Sequence, residues 1–210
     1  VEVHSVSDIQ DAILEAKQLG KKITIGGYRH SQAGHTILDD SIHLDMKQYN
    51  KVISIDLENR TVTVESGISW ETLLIYLTQF QMSPKIMQDL STFTVGGSMG
   101  SNILGRNPNA PPLINSIVSF TFMDAKGDIR VISREENQEL FSLIIGGYGL
   151  FGIVLEVKLE IIPNVALEGI DQIIPVEDYS IYLNKLRTNP RVVFHSGYLD
   201  EKNENVVVKN

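Results

Sequence analysis

The sequence predicts an α+β fold, in which amphipathic helices and antiparallel strand pairs follow one another along the chain. Two observations indicate this class. Apolar residues recur at helical spacing in several segments, and two pairs of short strands alternate apolar and polar residues around tight turns. A length of 210 residues allows one or two domains with a sizeable core.

Charge and composition exclude several classes of function. The net charge is −8, and no basic cluster is larger than the pair Lys21-Lys22, so nucleic acid and anionic membranes are poor partners. The absence of cysteine excludes disulfides, thiolate metal sites and a cysteine nucleophile. No apolar run approaches the length of a membrane span. The compartment stays open, with the cytoplasm favoured, and the chain, which begins at Val1, is expected to be a fragment.

The first 80 residues contain two predicted helices and four predicted strands. Apolar spacing predicts a helix over 8–19, with Ser7 as its cap and Gly20 at its end. Ser69 is placed to cap the second helix, which carries Trp70. Strands are expected at 22–25, 41–45, 52–56 and 61–65, the last two as a hairpin.

The middle of the chain is more irregular. A long loop is expected over 81–93, a short glycine-rich helix over 94–102 and irregular structure over 103–115. The pattern then predicts a second hairpin at 117–123 and 129–132, a helix over 134–143 capped by Ser133, and a strand over 153–161.

A second domain is expected to begin after Pro163, where the glycine clusters stop. The pattern of this part predicts a strand at 167–174, a helix at 177–187 and strands at 192–199 and 205–208. We expect residues 164–210 to be the start of an incomplete domain.

Three glycine-rich windows, 26–31, 96–102 and 146–152, hold nine of the sixteen glycines. The first window, Gly26-Gly27-Tyr28-Arg29-His30-Ser31, directly follows an apolar strand. Adjacent glycines let a backbone lie close to a ligand, and successive backbone N–H groups can surround an anion. Each window alone is explained equally well by a turn, but together they favour a ligand with an extended, polyanionic middle.

The third window contains a literal G-x-G-x-x-G string, from Gly147 to Gly152, with Glu168 and Asp171 about 20 residues further on. The dinucleotide fingerprint requires a strand before the string and a helix after it. Here a helix is expected before it and a strand after it, so no helix N-terminus is available for a pyrophosphate. We therefore reject a Rossmann site.

Of the residues in these windows, His30 is the strongest candidate for a chemical role. Beside Arg29 its imidazole would tend to stay neutral and nucleophilic, although a hydrogen-bonding role in the loop explains it as well. His35 could form a metal pair with it, but no third ligand stands at a usual spacing, so a metal site is not expected.

In their joint order the segments resemble the FAD-linked oxidases of the vanillyl-alcohol oxidase and p-cresol methylhydroxylase (PCMH-type) superfamily. The resemblance covers residues 1 to about 163. It rests on the first glycine window and on the following segments: Val64-Glu65-Ser66-Gly67-Ile68-Ser69-Trp70, Ser91-Thr92-Phe93-Thr94-Val95-Gly96-Gly97-Ser98, Asn102-Ile103-Leu104-Gly105-Arg106-Asn107, Glu139-Leu140-Phe141 and 146–154.

The resemblance implies a PCMH-type domain of two α/β subdomains, about 1–66 and 67–163, that clasp an extended FAD. An α+β substrate domain would follow. The implied cofactor-binding residues are Gly26, Gly27, Tyr28, Arg29, His30, Ser31, Gln32, Ser91, Thr92, Val95, Gly96, Gly97, Ser98, Ser101, Asn102, Gly105, Gly149, Gly152, Ile153 and Val154. The segment 152–154 would lie beside the adenine and ribose.

Two branches of the superfamily differ over His30. Aldonolactone and alditol oxidases carry a histidine at this position that is bonded covalently to the flavin, which makes His30 a covalent candidate. The stretch from Thr92 to Pro163 looks closer to the decaprenylphosphoryl-ribose oxidases, which hold FAD without that bond.

The resemblance implies oxidation of a CH–OH group of a sugar, alditol, lactone or related alcohol by hydride transfer to the flavin, with oxygen or another acceptor reoxidising it. We expect the catalytic base to lie outside this chain. Two alternatives stay open: a reductase of the UDP-acetylmuramate type that takes hydride from NADPH, and an FAD-like domain kept as a non-catalytic interaction module.

Overall fold

The structure is a computed structural model that describes residues 1–34 and 36–210, with Ala33 described through its backbone only. Its N-terminal part is a helix, α1 (Val6–Leu19), packed on a two-stranded parallel sheet of β1 (Lys22–Gly26) and β2 (Ser41–Asp45). Helix α1 ends, as predicted, at Gly20, which has a left-handed φ of 65°.

The cap of α1 differs from the prediction. Ser5, not Ser7, caps the helix: its hydroxyl accepts from the Asp8 N–H, and the Asp8 carboxylate accepts from the Ser5 N–H at 2.8 Å. This reciprocal capping box satisfies two N–H groups at once, so the helix starts one residue after Ser5.

The largest sheet contains six strands, and each of its strand pairs is antiparallel. Their order is β3 (Val52–Asp56), β4 (Thr61–Glu65), β8 (Ile153–Pro163), β6 (Ile117–Met123) and β7 (Ile129–Ser133), with β5 (Met82–Pro84) paired to the end of β8. The predicted hairpins are both present. The loop expected over 81–93 begins with β5, because the backbone of that strand pairs with residues 161–163.

The central strand β8 joins two cores. Alternate residues of β8 are buried on one face. Ile153 and Leu155 pack with α1, β1 and β2, whereas Val157, Leu159 and Ile161 pack with the helices of the large sheet. Those helices are α2 (Trp70–Thr78), α3 (Val95–Gly100) and α4 (Gln138–Ile144).

Helix α4 begins at Gln138, whereas the predicted range 134–143 began at residue 134. The hydroxyl of Ser133 accepts from the backbone N–H groups of Glu135 and Glu136, which fixes a turn and not a helix start. Asn137 then takes a left-handed φ of 59°, and α4 starts after it. Ser69, in contrast, caps α2 as predicted, since its hydroxyl accepts from the Thr72 N–H at 3.1 Å.

The last part of the chain forms a three-stranded antiparallel sheet in the order β10 (Ser196–Leu199), β11 (Asn205–Lys209) and β9 (Asp171–Pro175). Helix α5 (Tyr179–Arg187) lies between β9 and β10 in sequence. The strands β9 and β10 are shorter than the predicted ranges 167–174 and 192–199.

Hydrogen bonding groups the hairpin 52–65 with the large sheet. Residues 61–65 of β4 pair with residues 156–160 of β8, so β3 and β4 are continuous with the second half of the chain. The subdomain boundary expected near residue 66 stays a prediction. A division at Pro163 stays a prediction.

Candidate cofactor site

A cavity of about 300 Å³ lies where the three glycine windows meet. The end of β1 and the loop 26–31 form one wall, the start of α3 forms the second, and residues 148–154 before and within β8 form the third. The three windows, far apart in sequence, thus surround one space.

The first two walls touch through Gly27 and Thr94. A Cβ atom on Gly27 would stand 2.5 Å from Thr94 Oγ1 and 2.6 Å from its Cγ2, so no larger residue fits without a shift. Thr94 caps α3, and its hydroxyl accepts from the Gly97 N–H at 3.0 Å. A Cβ on Gly97 would stand 2.8 Å from the same oxygen.

The start of α3 is fixed against the large sheet. The N–H of Gly96 donates to the carbonyl of Ser66 at 2.8 Å, and a Cβ on Gly96 would stand 2.9 Å from that oxygen. The Val95 N–H donates in the same way to the carbonyl of Ile68. These contacts bring Ser66, which was not among the implied cofactor-binding residues, into the wall of the cavity.

The third wall is attached to the end of α3. The N–H groups of Gly146 and Tyr148 donate to the carbonyls of Met99 and Gly100, each at 3.0 Å. Gly152 has a φ of 146°, and a Cβ there would stand 2.4 Å from the Met123 carbonyl. Strand β8 follows at once, so the G-x-G-x-x-G string precedes a strand, as expected.

The loop after Gly27 offers unpaired backbone donors. In the described part of the chain, no hydrogen bond engages the backbone N–H groups of residues 28–31. Arg29 takes a left-handed φ of 58°, and its guanidinium lies 3.9 Å from Asp45. Free N–H groups in a left-handed turn beside a cation form an anion-binding concavity.

The ring of His30 is held by two neighbours at the edge of the cavity. It stacks on Phe93 with 4.2 Å between ring centroids and 16° between planes. Its Nε2 atom lies 3.1 Å from Thr92 Oγ1. His30 is itself exposed and contributes to the cavity wall, so its chemistry is accessible to a bound molecule.

Beneath the same loop lies His43 on β2. A Cβ on Gly26 would stand 2.8 Å from both Cε1 and Nε2 of His43, so the imidazole packs directly against the glycine. Burial lowers the pKa of His43 below its usual 6.5, with the Arg29 charge acting in the same direction.

The sequence model of the FAD binding domain family matches residues 1–133, which is more than half of the chain. The chain belongs to this family. Its cofactor is therefore FAD. The glycines that permit close approach and the unpaired N–H groups of 28–31 fit the diphosphate of such a ligand.

Curated relatives of the FAD binding family align with about three quarters of the chain. Mouse L-gulonolactone oxidase is 28% identical over 160 residues, which are 76% of this chain and 36% of that protein. Decaprenylphosphoryl-β-D-ribose oxidase of Mycolicibacterium smegmatis is 27% identical over 151 residues, 71% of this chain and 33% of that protein. The chain thus spans about a third of the length of these relatives.

A solved structure shows the same fold. The 6-hydroxy-D-nicotine oxidase of Arthrobacter nicotinovorans superposes with a TM-score of 0.82 at 20% identity, covering 99% of this chain and 48% of that one. The chain therefore has the PCMH-type fold of FAD binding proteins, as the sequence resemblance implied.

Twelve of the residues expected to bind FAD line the cavity: Gly26, Gly27, Tyr28, Arg29, His30, Ser31, Gly96, Gly97, Ser101, Gly149, Gly152 and Val154. The others lie outside its wall: Gln32, Ser91, Thr92, Val95, Ser98, Asn102, Gly105 and Ile153.

Three of the outlying residues have clear structural roles. Ser98 is fully buried, and its hydroxyl accepts from Trp70 Nε1 at 2.8 Å. Val95 and Ile153 are buried in the two cores. Thr92 contacts the cavity residue His30 through its hydroxyl. The side-chain oxygen of Asn102 accepts from the Ile114 N–H.

The cavity wall also includes residues outside the implied cofactor-binding set: Ile25, Thr36, Met46, Ser66, Phe93, Thr94, Gly100, Ile144, Tyr148 and Phe151. Phe93 and Thr94 lie inside a segment already associated with FAD, so their position was a usable signal. Ser66 likewise lies in a quoted segment, whereas Ile144 had no such signal, because only tertiary packing brings it here.

The sequence predicted neither a metal site nor a membrane-spanning segment. His35, the second member of the possible metal pair, lies outside the described residues. Among the residues that are described, no group of three or more His, Cys, Asp or Glu could hold a metal ion. No described helix is long and apolar enough to cross a membrane.

Proposed function

We propose that this protein is the FAD-binding part of an oxidoreductase that oxidises a CH–OH group of a small sugar-derived molecule, such as a lactone, alditol or phosphorylated pentose. The observation that carries the proposal is the contact between Gly27 and Thr94, which closes two glycine loops around one cavity. The names of two relatives, an L-gulonolactone oxidase and a decaprenylphosphoryl-ribose oxidase, support the substrate class.

The residues of this chain bind and orient the cofactor. The backbone N–H groups of 28–31 donate to the diphosphate oxygens, and Arg29 supplies a positive charge beside them. Gly26 and Gly96 let the backbone approach without side-chain interference. When bound, FAD supplies the electron chemistry by accepting a hydride from the substrate carbon.

His30 is the proposed covalent tether. Stacking on Phe93 fixes the plane of its ring, and the contact with Thr92 Oγ1 occupies Nε2. When Nε2–H donates to Thr92, Nδ1 carries the free lone pair, so Nδ1 is the proposed bonding atom. A bond from Nδ1 would replace one hydrogen of the flavin 8α carbon and would release two protons and two electrons, and the electrons would pass to an acceptor such as dioxygen.

The experiment is the absorption spectrum of the purified protein before and after acid precipitation. We expect a yellow protein whose colour stays in the pellet, and a His30 peptide that carries the mass of FAD or its fragment. Colour released into the supernatant contradicts the tether and leaves FAD binding intact. A protein that takes up no FAD contradicts the proposal as a whole.

The substrate class is tested by anaerobic mixing of candidate alcohols with the yellow full-length protein that contains this chain, because the catalytic base is expected outside the chain. An aldonolactone or a pentose phosphate is expected to bleach the flavin absorbance, whereas a secondary amine is not. Bleaching by NADPH alone would instead favour a reductase. His30→Ala, which removes the proposed tether but leaves the glycine loops, separates loss of attachment from loss of FAD binding.

A further inference from the structure

The segment 102–107 carries part of the resemblance to FAD-linked oxidases, yet none of its residues lines the cavity. Its glycine packs against another loop instead. A Cβ on Gly105 would stand 3.2 Å from the Met87 carbonyl oxygen, so the two loops lie close together. The next residue, Arg106, therefore stands beside the loop 86–93, and its contacts show what the segment does.

Arg106 forms an ion pair with Asp89 of that neighbouring loop. Its Nη2 donates to Asp89 Oδ2, and the two side chains are only 33% and 35% exposed. This hydrogen bond is the main cause that raises the pKa of Arg106 above its usual value. A pair partly shielded from water is screened less than one on the open surface.

Asp89 lies next to a part of the loop that is fastened to helix α2. The carbonyl of Ser91 accepts from the Glu71 N–H at 2.8 Å, and the carbonyl of Phe93 accepts from the Trp70 N–H at 3.0 Å. Trp70 is fully buried in the core of the large sheet. Asp89 is therefore an anchor of the FAD-binding part to which Arg106 is attached.

The C-terminal unit, residues 171–210, shares no apolar core with residues 1–163. Its buried apolar residues belong to neither of the two cores: Leu186, Val206 and Val208. The connecting residues 164–170 are exposed and form no helix or strand. Units joined without a large apolar interface are expected to move relative to one another. Polar contacts must therefore fix the orientation of this unit.

Those polar contacts converge on Arg106. Among the described residues, a single backbone hydrogen bond joins the C-terminal unit to residues 1–163: the His195 N–H donates to the Arg106 carbonyl at 2.9 Å. The side chain of Tyr198 also interacts with the guanidinium and raises its pKa further. His195 is itself held inside the unit, since its Nε2 lies 2.9 Å from Tyr179 Oη.

We propose that Arg106 is a positioning residue that fixes the C-terminal unit against the FAD-binding part. Its carbonyl holds His195, and its guanidinium holds Asp89. The catalytic consequence rests on the proposed function, because the C-terminal unit is expected to begin the substrate domain. Arg106 then determines where the substrate side stands relative to the flavin, although it lies outside the cavity wall.

Three variants of the full-length protein test this role. Arg106→Met keeps the length of the side chain and removes the guanidinium, whereas Arg106→Lys keeps a charge for Asp89. The matched control is Arg130→Met, which breaks the 3.1 Å ion pair with Asp124 in the large sheet. Hydrogen exchange of backbone amides, measured by mass spectrometry, reports how firmly each segment is held.

We expect residues 192–199 to exchange about fivefold faster in Arg106→Met than in wild type, because the unit has lost its anchor. Strand β8 (Ile153–Pro163) should exchange as in wild type, since the cores are intact. Arg106→Lys should restore most of the protection, because a lysine still pairs with Asp89. Arg130→Met should leave both segments unchanged.

A second measurement follows FAD binding and flavin reduction. We expect all three variants to bind FAD within about threefold of wild type, because both arginines lie outside the cavity wall. Anaerobic reduction of the flavin by L-gulonolactone should be about tenfold slower in Arg106→Met at equal FAD occupancy, because the substrate is less well placed. Arg106→Lys should recover most of that rate.

The outcomes are distinct. Equal exchange of residues 192–199 in Arg106→Met and Arg130→Met overturns the positioning role, and so does an Arg106→Lys variant that exchanges as fast as Arg106→Met. Faster exchange of strand β8 together with 192–199 also overturns it, because the whole fold has then loosened. A wild-type protein that takes up no FAD, or that L-gulonolactone does not reduce, contradicts the proposed function instead. Hydrogen exchange still decides the role of Arg106 in that case.

Discussion

Gly27 and Thr94 approach each other so closely that a Cβ on the glycine would stand 2.5 Å from the threonine hydroxyl oxygen. The two residues belong to different halves of the fold, since Gly27 follows the small parallel sheet and Thr94 caps a helix of the large sheet. Their contact sets the distance between two walls of the FAD site.

The first prediction concerns this contact. Gly27→Ala must push the two walls apart, because the new methyl group overlaps the branched side chain of Thr94. We expect FAD binding to weaken at least tenfold. The free energy of unfolding should fall by about 1–3 kcal/mol, the usual effect of overpacking. Equilibrium FAD titration and urea unfolding measure the two effects.

The matched control is Gly169→Ala. A Cβ at Gly169 meets no atom within 4 Å, and the residue lies outside the cavity wall. We expect FAD affinity to be unchanged there. If Gly27→Ala binds FAD as tightly as Gly169→Ala, the close contact does not set the geometry of the site.

The second prediction separates Ser98 from FAD binding. Its hydroxyl is the acceptor for the buried Trp70 Nε1–H. Ser98→Ala leaves this donor unpaired, so we expect a loss of stability of about 1–3 kcal/mol and little change in FAD affinity. Ser101→Ala, at a residue of the cavity wall, should give the opposite pattern. Weaker FAD binding by Ser98→Ala with unchanged stability would restore the role that the sequence suggested.

Local patterns predicted most helices and strands, because their signals lie within a few residues. The hairpin of β3 and β4 shows this, since alternation and a tight turn sufficed to place both strands. Ser133 shows the limit. Serine is a common helix cap, yet the hydroxyl of Ser133 closes a turn. Whether it caps a helix or closes a turn depends on backbone angles that the sequence does not show.

The site was predictable where its residues are glycines or neighbours of glycines. Gly26 and Gly97 could be identified because their residue type is the signal. Ile144 is an ordinary residue that reaches the cavity only through packing of its helix on the large sheet. His43 escaped attention for the same reason: its partner Thr24 lies on another strand, and the register of the strands creates the contact.

The third prediction tests how His30 is prepared for attachment to flavin. Thr92→Val removes the hydroxyl that contacts Nε2 and keeps the side-chain shape. We expect covalent flavin to accumulate at least tenfold more slowly, because the ring loses the polar contact that holds its Nε2 edge. Thr92→Ser keeps the hydroxyl and should attach flavin at nearly the normal rate. Time courses of acid-stable flavin measure both, and equal rates would contradict a role for Thr92.

The fourth prediction distinguishes two serines at the start of α1. Ser5 accepts from the Asp8 N–H in a capping box, whereas Ser7 lies inside the first turn. We expect Ser5→Ala to lower the free energy of unfolding by about 1 kcal/mol and Ser7→Ala to change it by less than half of that. Urea unfolding of both variants is the measurement. A larger loss for Ser7→Ala would show that the helix begins later than the structure places it.

The fifth prediction is a pH dependence of folding that His43 causes. Its pKa in the folded protein lies below the ordinary value of 6.5, chiefly because of burial and then because of Arg29. Below pH 6.5 the unfolded chain therefore binds a proton at this residue more readily than the folded protein does. Stability must fall as the pH decreases from 6.5 toward the folded pKa, and it is fully present above 6.5.

His43→Gln isolates this effect, because glutamine does not titrate. The carboxyl groups of Asp8, Asp56, Asp124 and Asp200 have pKa values lowered by hydrogen bonds, so they titrate at lower pH than this window. Urea unfolding between pH 5 and 8 should show a steeper loss of stability toward acid for wild type than for His43→Gln. Parallel curves would mean that His43 is as easily protonated in the folded protein as in the unfolded chain.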